Sequence, residues 1–164
     1  MPFKRLLLLF LVSTITLTLV QGMIQAPLRV QAKENRYNHN SIKIEDLVKK
    51  ADFSIFIPER IPQEYTLEIK MYPESIRLHY MNKEDTDLSI GIEQRKAPNA
   101  YPDSTFQDAE SVLINGNNGF FKTFSNAPGG ILSWKQDGTF LEMYSHVISK
   151  QEMIEIARSM KIVQ

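Results

Sequence analysis

ILSWKQDGTFLEMYSHVISKQEMIEIARSM, residues Ile131 to Met160, reads as a β-hairpin running straight into a helix. Asp137-Gly138 supplies the two-residue turn. Such a turn needs positive φ, which Gly adopts freely and Asp tolerates. It sets Gln136 opposite Thr139, Trp134 opposite Leu141 and Leu132 opposite Met143. The last two pairs share one face because strand side chains alternate with period two. The other face carries Ser133, Lys135, Phe140 and Glu142 and is expected to be the wetter one. A slip of one residue would send Lys135 and Glu142 into the core, so the register is firm. Ser149 and Glu152 then form a capping box. Met153, Ile156, Ala157 and Met160 follow at helical spacing as one apolar stripe. Glu155 and Arg158 fall on the solvent side. The stripe suits packing on a sheet better than a membrane surface, because the polar face is not basic.

Upstream lies the clearest period-two pattern in the chain. Tyr65, Leu67, Ile69 and Met71 alternate with Thr66, Glu68, Lys70 and Tyr72. Ile76, Leu78 and Tyr80 follow, and then Leu88, Ile90 and Ile92. Three such segments, with turns near Pro73-Glu74 and Asn82–Thr86, predict an antiparallel meander that is apolar on one face. Ser111–Ile114 and Phe120–Phe124 predict a further hairpin around NGNNG, where Asn115-Gly116 and Asn118-Gly119 both qualify as the turn. Phe53–Ile57 is a short strand that stops at Pro58. Ile42–Ala51 predicts a short helix with Ile44, Leu47, Val48 and Ala51 on one side. Together these give an α+β domain over residues 42–164. Its mainly antiparallel curved sheet has six to eight strands, a C-terminal helix on one face and a short N-terminal helix.

The other end of the chain speaks to location. Met1–Arg5 is basic, and Leu6–Val20 is a 15-residue apolar run. Residues 1–32 read as a secretory signal peptide, with small-residue cleavage sites at Val20-Gln21-Gly22 and Val30-Gln31-Ala32. The rival reading is an uncleaved membrane anchor over residues 6–24, close to the ~20 apolar residues a spanning helix needs. Residues 33–41 read as a polar linker.

Composition narrows the chemistry. The chain of 164 residues has 19 basic and 19 acidic side chains. Residues 1–32 hold three of the basic ones (Lys4, Arg5, Arg29) and no acidic one, so the remainder carries 16 against 19, a balance of −3. Nucleic acid is therefore not an expected partner, since phosphate binding needs concentrated positive charge. The chain has no Cys, which excludes disulfides, thiolate metal sites and a Cys nucleophile. His39, His79 and His146 stand far apart, outside any metal-ligand spacing, and each reads as a surface residue. Asp85-x-Asp87 reads as turn chemistry, because the Gly and terminal Glu of a calcium loop are missing. NGNNG lacks the Lys and Ser/Thr of a phosphate loop. No nucleophile elbow is present. No catalytic, metal or cofactor residue is assigned. Trp134, the one Trp, reads as core.

The segments FIPERIPQEY, RLHYMN, LSIGIEQ, VLINGNNGFF, LSWKQDGTFLEMYS and EMIEIARSM, in this order, resemble domain-of-unknown-function family 4367 from about Phe53 to Met160. The resemblance implies an extracytoplasmic module of Gram-positive bacteria, found in exported proteins and in membrane-anchored ones that include regulators of sigma factors. It implies no activity and no catalytic residues. The expected function is a non-catalytic binding or sensing module of the cell envelope, with an envelope protein or cell-wall component as partner. The alternative is an envelope hydrolase whose site is assembled from scattered carboxylates or His. Any membrane contact would run through an uncleaved N-terminal segment. The expected partner-binding surface is the Ala97–Ala109 loop with the Asn126–Gly130 turn, and Tyr101 and Phe106 are its large apolar side chains; the rival reading is that the two rings only pin the loop to the sheet.

Overall fold

Asp137 and Gly138 take left-handed φ of 45° and 79°, and the runs on either side pair as the turn dictates. Trp134 faces Leu141, Leu132 faces Met143 and Gln136 faces Thr139. The computed structural model describes residues 36–99 and 106–163. Along them the chain forms α1 (Ile44–Val48), β1 (Ile55–Pro58), β2 (Thr66–Met71), β3 (Ser75–Met81) and β4 (Leu88–Lys96). It continues through β5 (Glu110–Ile114), β6 (Asn117–Thr123), β7 (Gly130–Gln136), β8 (Thr139–Ser145), α2 (Lys150–Arg158) and β9 (Met160–Val163). The signal or anchor reading of residues 1–32 lies outside the described residues, and so does Tyr101.

The fold is α+β. Seven strands form one antiparallel sheet in the order β2-β3-β4-β8-β7-β6-β5, and β1 pairs with β9 in a separate two-stranded ribbon. One face of the large sheet carries Leu67, Ile69, Leu78, Tyr80, Ile90, Ile92, Leu141, Met143, Leu132, Trp134 and Phe121, all buried. Trp134 is a core residue, as its inward position predicts. Met153, Ile156 and Ala157 of α2 join this core. Ser149 caps α2 by accepting from the Glu152 amide, while the Glu152 carboxylate accepts from the Ser149 amide.

Polar side chains fix the ribbon to the sheet. Gln94 is fully buried. Its amide donates to the Phe56 carbonyl and its carbonyl accepts from the Phe56 amide, both at 2.8 Å. One side chain thus satisfies the β1 backbone as a neighbouring strand would. Thr139 Oγ1 donates to the Ser54 carbonyl at 2.6 Å. Ser145 Oγ donates to the Ser89 carbonyl at 2.6 Å and accepts from the amides of Val147 and Ile148, which turns the chain from β8 into α2.

Several expectations are corrected. The first helix is only five residues long, because Ser41 Oγ accepts from the Ile69 amide and the Ile42 amide donates to the Ile69 carbonyl. These bonds hold the preceding residues along β2. The polar run reaches the sheet before that: the Leu67 amide donates to the Arg36 carbonyl, and Tyr37 bridges Leu67 in parallel. The NGNNG turn is Asn115-Gly116, with φ of 50° and 84°. Met71 and Leu88, placed inward by alternation, are exposed. Met71 ends its hairpin, and an irregularity beside Tyr80/Met81 displaces Leu88 and buries Ser89 instead. On the second face of the β7–β8 hairpin, Ser133 and Phe140 are buried rather than wet. The Arg95 guanidinium lies 4.6 Å from the centre of the Phe140 ring. No helix among the described residues is long and apolar enough to cross a membrane.

Candidate functional site: the outer face of the sheet

The same alternation that sends the apolar residues inward places a polar set on the opposite face. Register aligns this set in two rows that cross the strands. In one row Lys70 stands opposite Arg77, Arg77 opposite Glu93, Glu93 opposite Glu142, Glu142 opposite Ser133 and Ser133 opposite Phe120. In the other, Glu68 stands opposite His79, His79 opposite Gly91, Gly91 opposite Tyr144 and Tyr144 opposite Ile131.

The first row is organised around ion pairs. Arg77 Nε donates to Glu93 Oε2 at 2.8 Å, and the Arg77 guanidinium lies 4.8 Å from the centre of the Tyr72 ring. Glu93, with a like charge opposite it on β8, is thereby compensated from β3. Glu142 Oε2 accepts from Ser133 Oγ at 3.2 Å. In the second row the Tyr144 side chain lies across Gly91. A Cβ on Gly91 would come within 2.1 Å of Tyr144 Cζ, so only glycine leaves room for the ring. An aromatic laid over a strand glycine covers the backbone that the missing side chain exposes. Burial raises the Tyr144 pKa; Arg77 opposes the rise, and Glu93, Tyr72 and Glu142 add to it.

His79 is not the surface residue its strand position suggests. Its side chain is 16% exposed, and burial lowers its pKa despite Glu68 Oε2 at 3.6 Å from Nδ1. Lys70 holds the same Glu68 oxygen at 3.2 Å. Nε2 of His79 is buried and makes no hydrogen bond among the described residues. Asp85 is likewise engaged locally. At a φ of 61° its carboxylate accepts from Thr66 Oγ1 and Asn38 Nδ2, which lowers its pKa.

The described ends of the expected loop border this face. The Ala97 amide donates to the Gly138 carbonyl at 2.8 Å, and Lys135 Nζ donates to the Pro98 carbonyl at 3.0 Å. Phe106 is half-buried and stacks on Phe120, ring centres 4.2 Å apart. It thus closes the row that contains Glu93 and Glu142. At the end of the second expected segment, a Cβ on Gly129 would collide with the Ser145 carbonyl and one on Gly130 with the Lys122 carbonyl. Elsewhere, a groove of about 470 Å³ lies beside α1 and β9. Val48, Ala51, Phe53, Ile55, Ile162 and Val163 line it, with Asp52 and Ser54.

The rows are missed in a sequence reading because register, not spacing, creates them. Arg77, Glu93 and Glu142 belong to three strands, and two of those strands meet only through the β4–β8 pairing. Gly91, set between Ile90 and Ile92 inside a strand, is the one local signal, since a strand glycine marks a close approach.

A family model described as a domain of unknown function, DUF4367, matches residues 55–160. No curated protein and no solved structure matches.

Proposed function

The chain belongs to the DUF4367 family, and from that premise we propose that it is an exported, non-catalytic binding module of the bacterial cell envelope. Export rests on the basic start and apolar run of residues 1–24. The chain is then secreted after cleavage within residues 1–32, or held at the membrane by residues 6–24. The recognition surface is the outer sheet face, with Pro98 and Phe106 of the expected loop at its border. The observation that carries this reading is the division of the sheet. One face is filled by Trp134, Phe121, Phe56 and the aliphatic core, while the other displays Tyr72, Arg77, Glu93, Glu142 and Tyr144 in register. Side chains held on strands need little ordering on contact.

The opposed Glu93 and Glu142 favour one alternative, an envelope hydrolase. Against it, both carboxylates already have hydrogen-bond partners, Glu93 accepting from Arg77 Nε at 2.8 Å and Glu142 from Ser133 Oγ at 3.2 Å. Two measurements test the proposal. A Met1–Asn40 fusion to a reporter active only outside the cytoplasm should be active, and a cytoplasmic signal overturns export. Arg77→Ala with Tyr144→Ala should abolish recovery of an envelope component on the immobilised chain. Unchanged recovery, or hydrolysis of labelled cell wall that Glu142→Gln removes, overturns the binding reading.

A further inference from the structure

We infer that the outer edge of β9 takes an extended strand of another protein by β-addition, with an apolar side chain of that strand seated in the groove beside α1. This is a second surface, separate from the outer sheet face, and it stands independently of the binding-module reading.

Backbone direction carries the inference. Register sets Phe56 opposite Ile162. Both backbone groups of Phe56 go to the Gln94 side chain, so they point away from β9. In an antiparallel ladder, opposed residues either exchange both hydrogen bonds or turn both sets of groups outward. Ile162 therefore turns its amide and carbonyl away from β1. The alternation holds along the ribbon. An odd number of residues away, the Glu59 amide donates inward to the Ser159 carbonyl at 3.2 Å. Pro58, which has no amide to donate, takes an outward position like Phe56. Among the described residues, β9 pairs with β1 alone, and no hydrogen bond meets the outward groups of Ile162. The other edges have partners: Arg158 Nη2 on the Leu113 carbonyl of β5, Arg36–Asn38 along β2, and Gln94 on β1.

An outward row of N–H and C=O groups is matched by another peptide backbone, which selects a strand as the occupant. The side chains around it suit one. Ile162 is 43% exposed. With Val163, Val48, Ala51, Phe53 and Ile55 it lines the groove of about 470 Å³. β-Addition draws affinity from main-chain bonds and selectivity from such pockets. A second copy of this chain fits less well. Pairing β9 with itself about Lys161 sets two like charges directly opposite each other. Pairing it about Ile162 leaves only Lys161–Val163 of the described strand in the ladder. A partner strand with apolar residues facing Val163 and Ile162, and a carboxylate facing the exposed Lys161, satisfies all three positions.

The test uses the full, isotope-labelled chain and the blocked peptide acetyl-TTVIETT-amide, whose VIE faces Val163, Ile162 and Lys161 in antiparallel order. Saturable binding is expected, with hydrogen exchange at the Ile162 amide slowed about tenfold or more. N-methylation of the peptide's isoleucine keeps every side chain and removes one main-chain bond. It should weaken binding about tenfold, equivalent to ~1.4 kcal/mol. Ile162→Pro should do the same from the protein side, while Ile162→Val binds like wild type. Thermal melting shows whether Ile162→Pro is folded; if it is not, the methylated peptide on the wild-type chain still decides. No saturable binding, equal binding of the methylated and parent peptides, or unchanged exchange at Ile162 overturns the strand-addition assignment. Protection of Ile162 that rises with protein concentration in the absence of peptide, together with a dimer in sedimentation, makes a second copy the occupant and overturns the partner-strand assignment.

Discussion

Gln94 does the work of a strand with one side chain. Its amide meets both backbone groups of Phe56 inside the core, where water cannot replace it. Gln94→Leu keeps the volume but strands an amide and a carbonyl. It should cost roughly 2–6 kcal/mol at ~1–3 per unsatisfied group, read from urea unfolding; a loss below 1 kcal/mol would show the clamp to be dispensable. His79 gives a second residue-scale expectation. Burial is the main cause of its lowered pKa, with Lys70 acting the same way and Glu68 opposing. The folded state therefore binds fewer protons at this site than the unfolded chain. The contribution is present above the ordinary imidazole value of about 6.5 and is lost as pH falls through the depressed folded pKa. His79→Gln should flatten the acid side of the stability profile, and superimposable wild-type and variant profiles between pH 7.5 and 5 would refute the assignment.

Among the elements, α2 depends most on local chemistry. Its nine residues start at the reciprocal Ser149–Glu152 cap, and two hydrogen bonds from Ser149 lower the Glu152 pKa. Ser149→Ala should cost ~1 kcal/mol, the usual cost of an N-cap, measurable as a lower midpoint in thermal melting. A variant with unchanged melting would mean that packing alone holds the helix start. The same helix screens an exposed edge. Arg158 Nη2 donates to the Leu113 carbonyl at 2.9 Å, Asn115 Nδ2 donates to the Arg158 carbonyl at 3.1 Å, and Lys150 pairs with Glu110. The backbone of β5 is thus partly occupied from outside the sheet, as an edge strand requires to avoid pairing with other chains. At the opposite edge, Arg36–Asn38 bond along β2.

For the molecule as a whole, the β1–β9 ribbon joins the start of the domain to its end. Ile55 pairs with Val163 and Pro58 with Met160, and Phe56 and Met160 are buried. A chain ending at Ser159 loses this partner strand and uncovers the β1 side of the core. It should lose cooperative unfolding in circular-dichroism melts, and a sharp transition near the wild-type midpoint would refute a closing role for β9. The long connection from β4 to β5 belongs to the same scale. It bypasses three strands, and its described parts touch the outer face through Pro98 and Phe106.

The sequence alone determined what depends on neighbours a few residues apart. Asp137-Gly138 fixed the register of β7 against β8, Ser149 and Glu152 fixed the start of α2, and alternation assigned Trp134, Leu141, Leu132 and Met143 to the core. Each of these is set by backbone torsions and bonds that close within one turn. Tertiary structure decided the rest. β4 lies beside β8, forty residues away, because the apolar faces of two meanders share one core. Met160 leaves the helical stripe to begin β9, because β1 offers an unpaired edge there. His79 is half-buried with its Nε2 covered, and Gln94 points inward, for the same reason, that burial and hydrogen-bond satisfaction are settled by elements distant in sequence. The two rows of the outer face arise only when four separately legible strands are set in register.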